Sequence, residues 1–223
     1  MTDKAVYLGD SRLDVSPKEI GGCYVTREGE LFYRIENFDD MDDFFISVVS
    51  DSNHWLFIST HGGLSAGRTD CDNALFPYYT EDKIRDNSDH TGSRTIVLLE
   101  QENRRLLWEP FSTSNPGIYA IQRNLYKNVL GDKLVFEETN LDLGIRFSYS
   151  WETSDRYGFV RTARLENIGQ QPVSADVVDG IENILPYGVL AGTQNELSCL
   201  VDAYKKNERV ADSVLATYAM SSI

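Results

Sequence analysis

The sequence predicts an all-β protein, an antiparallel β-sandwich, on three observations. Short apolar runs recur along most of the chain, polar turn formers separate them, and only one segment carries a helical period. Tyr, Phe and Trp make up 11% of the 223 residues, and flat side chains of this kind favour strands over helices. A chain of this length can bury a sizeable core, and sandwiches of similar size form one domain.

In chain order, Leu31 to Ile35, Phe44 to Val49 and Trp55 to Thr60 are strand candidates, and the turn formers Ser50 to His54 join the last two as a hairpin. Arg94 to Leu99 and Arg105 to Trp108 form another pair around Glu100 to Asn103, and Lys133 to Glu138 adds one more strand. The clearest signal follows. Leu141, Leu143, Ile145, Phe147, Tyr149 and Trp151 alternate with polar or small residues, a period of two that marks a long half-buried strand. After a turn at Ser154 to Arg156, Phe159 to Asn167 is its antiparallel partner, and Val173 to Val178 is a third strand beyond Gln171-Pro172. Near the end, Leu197, Leu200, Val201 and Tyr204 share one helical face. Thr193 and Glu196 have capping-box spacing, and Lys205 and Lys206 sit where a helix C-terminus favours cations, so one helix of three to four turns is expected. Ser213 to Met220 is strand-like again, and Ile223 three residues later reads as a fragment end. The sandwich domain is drawn over 1–190, with a linker helix and returning strand over 191–223.

Lys and Arg number 21 against 35 Asp and Glu, a formal charge of -14 that repels nucleic acid and anionic lipid. The start, Met1-Thr2-Asp3-Lys4, has no secretory pattern, and no run approaches the roughly 20 apolar residues of a membrane span, so a cytoplasmic protein is expected. Cys23, Cys71 and Cys199 are isolated and odd in number, which suggests reduced thiols instead of a disulfide framework or a zinc site.

Chemistry-bearing residues concentrate in His61 to Thr80, where glycine, arginine, acidic and aromatic residues lie together. Aromatic rings stack on the apolar face of a pyranose while Arg, Asp and Asn reach its hydroxyls. The alternative is a surface loop whose Phe76, Pro77 and Tyr78 plug the sandwich edge. Gly62-Gly63 matches neither phosphate-binding glycine motif. Asp39, Asp40, Asp42 and Asp43 fit no EF-hand and are taken as a solvated acidic turn, and Glu137-Glu138 and Glu28/Glu30 are given no role. Of the three histidines, His54 and His90 are placed in polar turns and His61 is the one site candidate.

Three segments carry a resemblance: Trp55-Leu56-Phe57-Ile58-Ser59 running into Gly62-Gly63-Leu64-Ser65 and Arg68; Phe159 to Asn167 followed by Gln171-Pro172-Val173; and Gly180-Ile181-Glu182-Asn183-Ile184-Leu185-Pro186. In these the chain resembles the amino-terminal β-sandwich domains of cellobiose phosphorylase-like glycoside hydrolases and phosphorylases. The resemblance implies a supersandwich similar to galactose mutarotase, followed beyond Ile223 by an (α/α)6 barrel that holds the general acid, so no catalytic residue is expected here. It implies a sugar as ligand, the barrel and a second copy of the chain as partners, and inorganic phosphate as the parent enzyme's co-substrate, with no other cofactor and no metal. His61, Gly62, Gly63, Arg68 and Tyr78 are the expected substrate-binding residues. The stretch Asn73 to Tyr79 departs from the family and leaves phosphorolysis and hydrolysis both open. Two other readings stand beside this one: a free-standing sugar epimerase using histidine and glutamate, and a carbohydrate-binding module with Tyr78, Tyr79 or Trp108 as platform.

Overall fold

A computed structural model describes residues 5–76, 84, 88–89, 91–101, 103–114, 116–185, 190, 192–193, 196–197 and 203–218. The described chain is all-β and every strand pairing is antiparallel. A small hairpin, β1 (Val6–Leu8) and β2 (Ser11–Leu13), leads into β3 (Gly21–Arg27) and β4 (Glu30–Glu36). A 3-10 turn at Phe38–Asp40 precedes β5 (Phe45–Ser47), β6 (His54–Ser59) and β7 (Leu64–Arg68), and a second such turn spans Cys71–Asn73. Then come β8 (Gly92–Gln101), β9 (Arg104–Trp108), β10 (Ile121–Asn128), β11 (Lys133–Asn140), β12 (Ile145–Ser154), β13 (Gly158–Asn167) and β14 (Ser174–Glu182). The hairpin β15 (Lys205–Val210) and β16 (Ser213–Tyr218) closes the described chain.

Six strands form the large sheet in the order β13-β12-β11-β10-β4-β3, and two three-stranded sheets run β5-β6-β7 and β14-β8-β9. One core cluster draws on all three. Leu125, Leu134, Phe136, Ile145, Phe147, Tyr149 and Trp151 come from the large sheet, Ile46, Leu56, Ile58, Leu64 and Ala66 from one small sheet, and Val97, Leu99 and Trp108 from the other. The apolar faces of the three sheets therefore bury one another as a two-layer sandwich. Phe136 and Tyr149 stack at 5.0 Å, and Phe38 and Phe111 meet Phe136 edge-on at 5.8 and 6.1 Å.

The large sheet's outer face carries a small apolar cluster of Phe32, Tyr126 and Val135, and the polar side chains beside it satisfy one another across strands. Glu137 accepts from the Tyr126 hydroxyl at 2.7 Å, from Asn124 Nδ2 at 3.2 Å and from Arg27 Nη1 at 3.2 Å. The Arg27 guanidinium also lies 4.2 Å from the Tyr126 ring centroid. Burial, the hydrogen bond to Glu137 and its charge push the Tyr126 phenol up to about 12.

Most expected strands are present, with corrections. The long strand starts at Ile145, because Leu141 to Gly144 form a turn in which Gly144 has φ of 65°. The third strand, expected over Val173 to Val178, runs from Ser174 on to Glu182 and pairs with β8. Leu64 to Arg68 of the supposed glycine loop form strand β7, and His54 opens β6 instead of sitting in a turn. The helix expected up to Lys206 fails at its end. Gly192, Thr193, Glu196, Leu197 and Ala203 are helical, so Thr193 is inside a helix and not its cap, while Lys205 and Lys206 begin β15. Leu200 and Val201 lie outside the described residues. The strand-like run after it is β16, paired with β15 as a separate hairpin.

Candidate functional site

Glu137 and Glu138 are neighbours on β11, and the pleat sends consecutive side chains to opposite faces. Glu138 therefore points into the sandwich, where only 1% of its side chain is exposed. A buried carboxylate must be paired, and this one accepts three hydrogen bonds. Trp108 Nε1 donates to Oε1 at 2.8 Å, while the Phe111 backbone N–H and Arg123 Nε donate to Oε2 at 2.6 and 2.7 Å. Arg123 Nη2 also donates to the Ser112 carbonyl at 3.0 Å. Glu138 and Arg123 thus tie the chain after β9 to the large sheet. They also hold Phe111 at φ of 63°, a left-handed conformation uncommon for a bulky residue.

This buried network forms one wall of a cleft of about 1030 Å³. The segment Asp14 to Ile20, the 3-10 turn at Phe38–Asp40, His61 and the chain from Arg105 to Arg123 line the rest of it. Lys18 Nζ lies 3.3 Å from Asp39 Oδ2, and the Lys18 backbone N–H donates to the Asp40 carboxylate. The other oxygen of Asp39, Oδ1, is buried and has no hydrogen-bond partner among the described residues. His61 Nδ1 lies 3.2 Å from Asp43 Oδ1, which also accepts the Thr60 hydroxyl. Tyr119 donates to the Leu107 carbonyl at 2.9 Å, and burial with the nearby Asp142 charge raises its pKa. The phenol therefore stays a hydrogen-bond donor at neutral pH.

The cleft presents carboxylates, an ammonium, an imidazole and aromatic walls together, a lining suited to a hydroxyl-rich ligand. Compared with known proteins, the chain matches no family model and no curated protein. The site is therefore argued on its chemistry alone. Among the described residues no group of three or more His, Cys, Asp or Glu side chains could hold a metal ion.

The expected site residues separate. His61 borders both the cleft and the small pocket beside it, and Gly62 borders the small pocket alone. Gly63 is buried in the β6–β7 turn, where its N–H donates to Ser59 Oγ at 3.0 Å and its carbonyl accepts the Ser59 N–H at 2.8 Å, so its role is in the turn. Arg68 lies at the opposite end of β7, exposed and paired in register with His54. Tyr78, with Pro77, Tyr79, His90 and Cys199, lies outside the described residues. Trp108 is 2% exposed and cannot serve as a sugar platform. Phe76 is buried in the core, so for this residue the plug reading holds. His54 meets Phe159 edge-on at 5.4 Å and Ser52 Oγ at 2.5 Å, so the two described histidines serve different neighbours.

Four residues that border or build the site carried no role in the sequence reading: Asp39, Asp43, Arg123 and Glu138. The acidic run is only half solvated: Asp40 and Asp42 are exposed as expected, whereas Asp39 and Asp43 have side chains only 18% and 10% exposed. Glu137-Glu138 held a usable signal. Two adjacent carboxylates in a strand must face opposite sides, so one needs a buried partner.

Proposed function

We propose that this chain is a noncatalytic carbohydrate-binding β-sandwich domain whose sugar sits in the cleft bordered by Asp39, Lys18 and His61. It serves a companion (α/α)6 barrel of the glycoside phosphorylase or hydrolase type. One observation carries the reading. Asp39 and Lys18, paired at 3.3 Å with side chains 18% and 33% exposed, stand with His61 on a cleft large enough for a di- or trisaccharide. Sugar hydroxyls reach the exposed part of the Asp39 carboxylate, Lys18 and His61, and Tyr119 adds a ring on the wall. Glu138 supports a binding role over a catalytic one. Its three donors hold both oxygens, which leaves no free carboxyl to deliver a proton to a leaving group.

Calorimetric titration with glucose, cellobiose and cellotriose, with and without inorganic phosphate, tests this. Saturable millimolar binding that falls about tenfold in Asp39→Ala, the loss of roughly one good hydrogen bond, is the expected result. Absence of binding to any of the three sugars overturns the reading.

A further inference from the structure

A second groove, of about 560 Å³, opens between β3, β4, β5 and β10 and shares no lining residue with the cleft. Its walls are Tyr24, Tyr33, Phe44, Phe45 and Leu125, with Lys127 as the single charged residue of the lining. In a chain with 35 Asp and Glu, no carboxylate of the described residues lines this groove. Lys127 stands opposite Tyr33 on one neighbouring strand and Leu134 on the other, so its stem runs along the apolar inner face of the large sheet. Burial lowers its pKa, and among the described residues no charged group acts to restore it. The aromatic rings are open to ligand, since Tyr24 is 67% and Tyr33 42% exposed. These two tyrosines meet edge-on at 5.2 Å, and Phe45 meets Phe57 the same way at 6.0 Å.

From the unpaired ammonium, the absence of carboxylates and the bare aromatic walls, we propose that this groove binds an anionic monosaccharide, a sugar acid or a sugar phosphate. A flat ring stacks on the tyrosine and phenylalanine faces, and the ligand's anion supplies the partner that Lys127 lacks. A neutral sugar leaves the ammonium uncompensated. A polyanion or an anionic membrane needs several cations, and this groove holds one. The volume falls within the roughly 300–1,000 Å³ of small-molecule sites. The proposal stands apart from sugar binding in the cleft.

Reductive methylation of surface lysines, read by mass spectrometry at Lys127, follows occupancy directly. The full chain is labelled in the presence of glucuronate, glucose 6-phosphate, glucose or inorganic phosphate, and the same ligands are titrated calorimetrically against the parent and Lys127→Gln. At least one of the two anionic sugars is expected to protect Lys127, with glucose and inorganic phosphate giving none, and the responding arm identifies carboxylate or phosphate. Lys127→Gln, its fold checked by circular dichroism, is expected to weaken that ligand at least tenfold and to leave cellobiose binding at the cleft unchanged. Equal protection by inorganic phosphate alone, protection by glucose, or undiminished binding to Lys127→Gln each overturns the proposal. Cellobiose binding without anion binding removes the groove and keeps the cleft; the reverse removes the cleft and keeps the groove.

Discussion

Glu138 has almost no water to fall back on, and that sets the cost of changing it. Glu138→Gln keeps the shape but replaces one acceptor oxygen with an N–H₂ group facing either Trp108 or the Phe111 and Arg123 donors. Breaking one side of a buried charge pair typically costs about 3–5 kcal/mol. Urea unfolding is expected to show a loss of that order, while Glu100→Gln, which breaks an exposed pair with Arg105, changes stability by less than about 1 kcal/mol. Asp179 gives the residue-scale pH dependence. Burial alone would raise its pKa, but two hydrogen bonds from Arg161 at 2.7 and 2.8 Å, one from Thr95 at 2.7 Å and the Arg161 charge outweigh it, holding the carboxyl below its ordinary value. A depressed carboxylate stabilises the fold above its unfolded pKa of about 3.9 and loses that contribution as pH falls through the lower folded value. Asp179→Asn is therefore expected to be less stable than the parent at pH 7, with the gap narrowing below about pH 4. Chemical unfolding at a series of pH values checks this, and a gap that stays constant refutes it.

At the scale of elements, legibility followed whether a strand's inward residues were the apolar ones. β12 shows Ile145, Phe147, Tyr149 and Trp151 turned inward, and its pairing with β13 matches the reading nearly residue for residue. β10 escaped because Arg123 and Lys127 share its inward face with Leu125 while the aromatic Tyr126 faces outward, which blurs the alternation of apolar and polar positions. β7 escaped because Leu64-Ser65-Ala66-Gly67-Arg68 has small residues where a strand signal wants bulky ones. Smallness is what the packing requires: a Cβ on Gly67 would lie 2.7 Å from the Trp55 ring and 2.8 Å from Ala74 Cα. The cleft was half legible. His61 borders it as expected, whereas Arg123 and Glu138 reach it only through strand pairings that no local pattern encodes. Gly92 links these parts. It starts β8 at φ of 111°, and a Cβ there would lie 2.7 Å from the Gly62 carbonyl oxygen. Gly92→Ala is expected to cost about 1–3 kcal/mol and to displace the His61 segment. Thermal unfolding gives the first, and a changed NMR signal of the His61 ring, absent from a control Gly9→Ala whose Cβ meets nothing within 4 Å, gives the second.

For the molecule as a whole, the charge of -14 sets the response to salt. Most ion pairs are partly exposed and contribute little each, so screening is expected to relieve net repulsion among carboxylates by more than it weakens those pairs. Thermal midpoints should rise between low and physiological sodium chloride, and a fall would show that attraction dominates. Among the described residues no helix is long and apolar enough to cross a membrane. The strand order of the large sheet has one further consequence. From β10 to β13 every pairing joins neighbours in the chain, as does β3 with β4, but β4 meets β10 across roughly 90 residues that contain the β5-β6-β7 sheet and strands β8 and β9. Refolding then has a natural order. The four-strand meander can zip locally within milliseconds, whereas closing the β4–β10 seam must wait for the intervening chain to collapse. Pulse-labelled hydrogen exchange should find the amides of β11 and β12 protected first and those between Phe32 and Asn128 last, making this seam the kinetic bottleneck of the fold.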